Sequence, residues 1–147
     1  MNLRQAEAMM VLGFLRPEAI PDLASALLGQ GIESRFLVLA AGHTAEDVSD
    51  PRALFEQALD ELRPVRMSRE EALRCYAGFI SSAIVAGEIT ALAGAQKIWR
   101  AVIESGVRDV ADLGPFIYAA AEMEARPTDR EFFENAIRDA ATRCASW

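Results

Sequence analysis

Three observations predict that the chain has an all-α fold. We expect a single compact domain of seven to eight helices with an orthogonal or bundle-like arrangement. Alanine, the best helix former, is used heavily, whereas Val, Thr and Tyr are few. No segment alternates apolar and polar residues long enough to predict a half-buried strand. The stretch Ala72–Ala86 is apolar nearly all round at the helical period, which is typical of a helix enclosed by other elements.

We expect this Ala72–Ala86 segment to be the central helix. Its non-apolar members are Arg74, Gly78, Ser81 and Ser82, which fall at helical spacing and so share one narrow strip. Its 15 residues are fewer than the roughly 20 that a helix needs to cross a bilayer. The sequence therefore predicts no membrane span here.

Prolines, glycines and capping residues mark the helices before the central one. Pro17 ends the first, because the residue before a proline is pushed out of the helical region. Ser34 is expected to cap a short third helix, with Gly42 in the left-handed stop conformation. Asp50 caps the fourth helix. The expected spans are Leu3–Leu15, the segment from Pro17–Pro21 to Gly29, Arg35–Ala41, and Pro51 to the residues before Pro64.

Gly87 ends the central helix, and the same signals predict three helices after it. Thr90 is expected to cap the next, whose apolar face includes Trp99 and which Gly106 stops. Gly114-Pro115 either begins a seventh helix or kinks its first turn. Thr128 with Glu131 has the capping-box spacing. It would start the last and most clearly amphipathic helix, whose apolar stripe is Phe133, Ala136, Ile137, Ala140, Ala141 and Cys144.

Length and composition predict one domain over residues 1–147, large enough to fold without a disulfide or metal. The first residues contain no apolar run of signal-peptide type. Cys75 and Cys144 have no CxxC partner, which fits a reduced compartment. We therefore expect a cytoplasmic protein, and the alanine- and arginine-rich composition is typical of small bacterial helical proteins.

Acidic residues are concentrated in one part of the chain, which has a net charge of −7. Between His43 and Leu62, Arg52 is the single base. The acidic residues of this stretch are Glu46, Asp47, Asp50, Glu56, Asp60 and Glu61. Such a surface repels phosphate backbones and attracts basic partners. These six residues are the candidate partner surface; the alternative is a solvated face that keeps the protein in solution.

Catalytic and metal-binding motifs are not evident. His43 is the only histidine, so zinc and di-iron sites that need two are excluded, and no cofactor is expected. His43 is read as a loop residue rather than a general base, and Cys75 as core packing rather than a reactive thiol. Gly29-Gln30-Gly31 lacks the strand and the Lys-Ser/Thr of a phosphate loop.

A DNA-binding helix–turn–helix is disfavoured by the residues of its would-be recognition helix. The would-be recognition helix after Ser34 offers one base, Arg35, and neither Asn nor Gln for reading base edges. No nucleic-acid partner is therefore expected. Trp99 and Trp147 are of the type that anchors interfaces, although the position of Trp99 favours the core.

We interpret the chain as a non-enzymatic helical module for protein–protein interaction with a basic partner. An acidic inhibitor or immunity-type protein that neutralises a basic toxin or nuclease is one example. The first alternative is an enzyme or small-ligand binder with a carboxylate-lined pocket between helices, using Arg74, Tyr76 or Tyr118. The second is a homo-oligomer that associates through an uncovered apolar face.

Overall fold

The computed structural model describes residues 1–147 apart from the side chain of Ala111. It is all-α, as the sequence predicts, and no strand occurs along the described backbone. The α-helices are α1 (Leu3–Leu12), α2 (Ile20–Gly29), α3 (Arg35–Ala41), α4 (Pro51–Leu62), α5 (Arg69–Val85), α6 (Ala91–Ser105), α7 (Gly114–Glu122) and α8 (Arg130–Cys144). Short 3₁₀ turns cover Pro17–Ala19, Ala111–Leu113 and Pro127–Asp129. None of the helices described is long and apolar enough to cross a membrane.

The chain divides into two compact units, Met1–Ser68 and Arg69–Trp147. In the first, α2, α3 and α4 pack against one another. Their shared core consists of fully or nearly fully buried apolar side chains, with Phe55, Leu27 and Leu37 among the largest. In the second unit, α5 packs against both α6 and α8, and α7 packs against α6 and α8. The organisation of the whole chain as one domain stays a prediction.

Three helices, α3, α4 and α6, start at the expected capping residues. The Ser34 hydroxyl accepts a hydrogen bond from the Leu37 N–H (3.4 Å), and Thr90 accepts one from the Ala93 N–H (3.2 Å). The Asp50 carboxylate accepts one from the Arg52 N–H at 2.9 Å. Each bond satisfies a backbone donor that a helix start leaves without an intrahelical partner. Local sequence signals therefore located these three helices correctly.

The first helix is shorter than predicted. It ends at Leu12 because Gly13 adopts a left-handed conformation (φ +78°), four residues before Pro17. A glycine reaches this conformation without the steric penalty that a side chain imposes. The prediction of helix over Leu3–Leu15 was therefore wrong at its C-terminal end.

Three further details differ from expectation. Gly42 follows α3 but has φ −87°, so it is not in the left-handed conformation. The Thr128–Glu131 capping box was wrong, because Pro127 opens a 3₁₀ turn that includes Thr128, and Asp129 precedes α8 without a side-chain cap. Trp99 was expected in the core stripe but keeps 36% of its surface exposed.

The non-apolar strip of α5 is a packing surface for the C-terminal end of the chain. A Cβ on Gly78 would lie 3.1 Å from the carbonyl oxygen of Cys144, so the missing side chain permits close approach. The Ser82 hydroxyl donates to the carbonyl oxygen of Ala145 (3.1 Å), and the Arg74 guanidinium lies 4.8 Å from the ring centroid of Trp147. The strip thus determines where the end of α8 docks.

Candidate functional sites

The six residues of the predicted acidic surface lie in the loop before α4 and along α4 itself. All six are exposed. Their local roles differ, however, and hydrogen bonds divide them into two groups. This division decides which carboxylates are available to a partner.

Three of the six already have partners within the first unit. Asp47 accepts a hydrogen bond from the Thr44 N–H (2.7 Å), and Asp50 caps α4. Asp60 pairs with Arg66 at 2.8 Å, and the same guanidinium donates to the Glu56 carbonyl oxygen (3.0 Å). These contacts order the segment and neutralise part of its charge.

The other three carboxylates, Glu46, Glu56 and Glu61, make no ion pair with any described side chain. Arg52, the only base in the stretch, is directed elsewhere, because its guanidinium donates to the Leu15 carbonyl oxygen (3.1 Å). Val48, next to Asp47, is fully exposed. The first unit therefore presents uncompensated negative charge beside an exposed apolar side chain.

His43 holds the loop that carries Glu46 and Asp47. Its Nε2–H donates to the Ser49 carbonyl oxygen at 2.6 Å, which bridges the two ends of the loop. A carbonyl oxygen can only accept, so this contact requires the proton on Nε2. The arrangement agrees with the structural interpretation of His43 rather than with a base oriented by a carboxylate.

The residues named for the enzyme alternative have different surroundings. Arg74 contacts the carboxylates of Glu70 (3.7 Å) and Asp112 (3.9 Å). Tyr76 is half-buried, and that burial raises the pKa of its hydroxyl. Tyr118 is exposed, and Cys75 is buried. Among the residues described, no cluster of His, Cys, Asp and Glu could hold a metal ion.

A groove of about 650 Å³ in the second unit is a feature that sequence reasoning missed. One wall comes from the end of α5, the following turn and the start of α6; the other comes from α8. The α8 wall presents Arg130, Glu134, Arg138 and Thr142. These four residues recur every four positions, so the sequence alone predicts that they share one face of the helix. The opposite wall comes from other helices and is visible only in the folded structure.

One feature of the structure bears on the alternative of a homo-oligomer that associates through an uncovered apolar face. Trp99 and Ile103 lie four residues apart on α6 and are 36% and 65% exposed. A pair of exposed side chains is common on monomeric proteins and by itself needs no partner. Self-association therefore stays a prediction.

Comparison with known proteins finds no protein-family model, curated protein or solved structure that matches this chain.

Proposed function

We propose that the chain is a cytoplasmic, non-enzymatic interaction module whose acidic segment, Glu46–Glu61, binds a basic protein. The observation that supports this most is the set of three exposed carboxylates, Glu46, Glu56 and Glu61, without a cationic partner in the described structure. Charge of one sign on a surface accelerates association with an oppositely charged protein and disfavours nucleic acid.

The hydrogen bonds around the segment support the proposal because they order the backbone that carries the three carboxylates. Asp47 and Asp50 order the loop and the start of α4, and His43 closes the loop. A surface that is ordered before binding loses less conformational entropy when the complex forms. Val48, which is fully exposed, would supply an apolar contact at such an interface.

The experiment compares two variants of equal net charge. The test variant is E46Q/E56Q/E61Q; the control is E18Q/D22N/E33Q, which neutralises three exposed carboxylates elsewhere in the first unit. Each tagged protein captures partners from host extract at low and high salt, and the retained protein is purified for calorimetric titration. We expect a basic protein that the wild type and control bind with similar Kd.

The test variant should bind that partner at least about tenfold more weakly and with a smaller salt dependence, since screening acts on exposed charges. Equal affinities of the test and control variants would show that the acidic segment is not the binding surface. Retention of acidic or neutral proteins alone would contradict a basic partner.

A further inference from the structure

Two aromatic side chains of the second unit are exposed where α7 and α8 pack together. Phe132 is 67% exposed and Tyr118 is 55% exposed. Both contact the buried ring of Phe133, whose centroid lies 5.4 Å from that of Phe132 and 5.9 Å from that of Tyr118. The two exposed rings are therefore neighbours, and together with Phe133 we name them the α7–α8 aromatic patch.

A guanidinium group of the chain itself stacks on one ring of the patch. Arg126 lies over Phe133, 5.3 Å from the ring centroid. Its nitrogens donate to the Tyr118 hydroxyl (3.4 Å) and pair with the Asp129 carboxylate (2.7 Å). A ring face and a carboxylate together satisfy both the flat surface and the N–H donors of a guanidinium.

The ring of Phe132 has no such partner. It meets Phe133 edge-on, with 74° between the two ring planes. No guanidinium or ammonium group of the described side chains lies over it. The face of an aromatic ring carries partial negative charge and attracts cations. Phe132 therefore offers an exposed ring face to a cation from outside the chain.

The charge around the patch favours a cationic occupant. Residues 114–139 contain six carboxylates and three guanidinium groups. All three guanidinium groups already lie within 4.0 Å of the carboxylate of Asp129 or Glu134. The other four carboxylates make no ion pair with a described residue; they are Glu122, Glu124, Glu131 and Asp139.

Two of these four carboxylates share a helix face with an exposed ring. Glu122 lies four residues after Tyr118 on α7, and Asp139 lies seven residues after Phe132 on α8. Residues four or seven apart lie on the same side of a helix. The aromatic patch is therefore flanked by negative charge that no described base compensates.

We propose that the α7–α8 aromatic patch binds an arginine-rich segment of a protein partner. One arginine of the segment stacks on Phe132, as Arg126 stacks on Phe133. Its neighbours in the segment pair with Glu122 and Asp139. Arginine is preferred to lysine because its planar, weakly hydrated guanidinium stacks on ring faces, whereas an ammonium is a strongly hydrated point charge. The site belongs to the second unit and does not depend on the acidic segment of the first.

Fluorescein-labelled tetra-arginine tests the proposal by fluorescence anisotropy, with tetralysine as the comparison of equal charge. The full-length variant E46Q/E56Q/E61Q is titrated, so that the acidic segment of the first unit contributes no attraction of its own. We expect tetra-arginine to bind at least about threefold more tightly than tetralysine. Equal Kd values would show attraction by charge alone and would overturn the proposal.

Replacement of an aromatic ring in this background locates the site. F132L keeps an exposed apolar side chain but removes the ring face, so it should weaken tetra-arginine binding about two- to fivefold and leave tetralysine binding nearly unchanged. W99L is the control, because Trp99 is exposed on α6 beside Lys97 and the Arg100–Glu104 ion pair. Circular dichroism verifies that both variants are folded. Equal weakening by W99L would contradict a site at Phe132.

Replacement of the carboxylates tests the charge requirement. E122Q/D139N should weaken binding of both peptides at least about threefold at low salt. The control of equal net charge is E18Q/E33Q, which changes two exposed carboxylates of the first unit. Equal effects of the two double variants would overturn the proposal.

Sedimentation of the wild-type protein distinguishes the other occupant of such a surface. We expect no self-association that depends on Phe132. Dimerisation that F132L abolishes would assign the patch to a second copy of the chain and would overturn the proposal.

Discussion

The buried carboxylate of Glu7 accepts a hydrogen bond from Nε of Arg63 at 2.7 Å and another from the Met67 N–H at 2.8 Å. Glu7 is completely buried within α1, whereas the Arg63 side chain is 39% exposed. The contact joins residues 56 positions apart and fastens α1 to the segment that follows α4. A buried carboxylate needs such partners to offset the loss of hydration.

Replacement of Glu7 should therefore destabilise the first unit. E7A leaves the Met67 N–H and Arg63 without their acceptor and opens a cavity, so we expect a loss of about 2–3 kcal/mol in the free energy of unfolding. E7Q keeps one acceptor oxygen and should lose less, about 1–2 kcal/mol. Urea denaturation measures both. A loss no larger for E7A than for E7Q would show that the Met67 hydrogen bond contributes nothing.

The close approach of α5 and the C-terminal end of α8 predicts opposite effects for two glycine substitutions. In G78A the new methyl would lie 3.1 Å from the Cys144 carbonyl oxygen and 3.0 Å from the Trp147 Cβ. Overpacking of this kind costs about 1–3 kcal/mol, and Ala returns about 1 kcal/mol of helix propensity. We expect net destabilisation in thermal unfolding.

The control is G29A, at the end of α2, where a Cβ meets no atom within 4 Å and φ is not positive. It should raise stability by about 0.5–1 kcal/mol, since alanine restricts the unfolded chain. If G78A were as stable as G29A, the space between α5 and the end of α8 would be larger than the structure indicates.

Replacement of the two adjacent serines of α5 by alanine should change stability in different ways. Ser81 is fully buried and its hydroxyl has no hydrogen-bond partner among the described groups, whereas the Ser82 hydroxyl donates to the Ala145 carbonyl oxygen. S81A removes a buried polar group that has no hydrogen bond, so stability should stay equal or rise by about 1 kcal/mol. S82A should lower it slightly. The denaturation midpoints of the two variants show which of them is more stable. A clear loss of stability in S81A would reveal a hydrogen-bond partner for the Ser81 hydroxyl.

Stability should decrease in alkaline solution because of Cys144. Its burial is the main cause that raises the pKa of the thiol above its ordinary 9.0, with Asp112 acting in the same direction. Between the ordinary and the raised pKa, the folded chain holds a proton that the unfolded chain has lost. The free energy of unfolding therefore falls as pH rises through this window and is independent of this group at lower pH.

Urea titrations at neutral pH and above pH 9 measure the effect, with C144A as the comparison. Tyr76, whose pKa burial raises above 10.0, adds a loss in the same direction at higher pH in both proteins. The wild type should lose more stability than C144A over the thiol window. Parallel pH profiles for the two proteins would contradict the assignment to Cys144.

The sequence by itself determined the all-α class and most helix boundaries, because these depend on nearby residues. Ser34, Asp50 and Thr90 cap the helices that they were predicted to cap, and Gly106 ends α6 in the left-handed conformation. Capping, glycine conformation and the 3.6-residue period act within one or two turns and are visible in a linear sequence. The acidic concentration between Glu46 and Glu61 is visible in the same way.

The tertiary structure decided which distant residues meet. The pairing of Glu7 with Arg63, the docking of Cys144 and Ala145 on α5, and the groove beside Arg138 all join segments far apart in sequence. Helical stripes of similar width permit several packing orders, so the pattern along one helix does not specify its neighbours. Three of the six acidic side chains have partners close in sequence, and only the folded geometry showed which three carboxylates make no ion pair with a described residue.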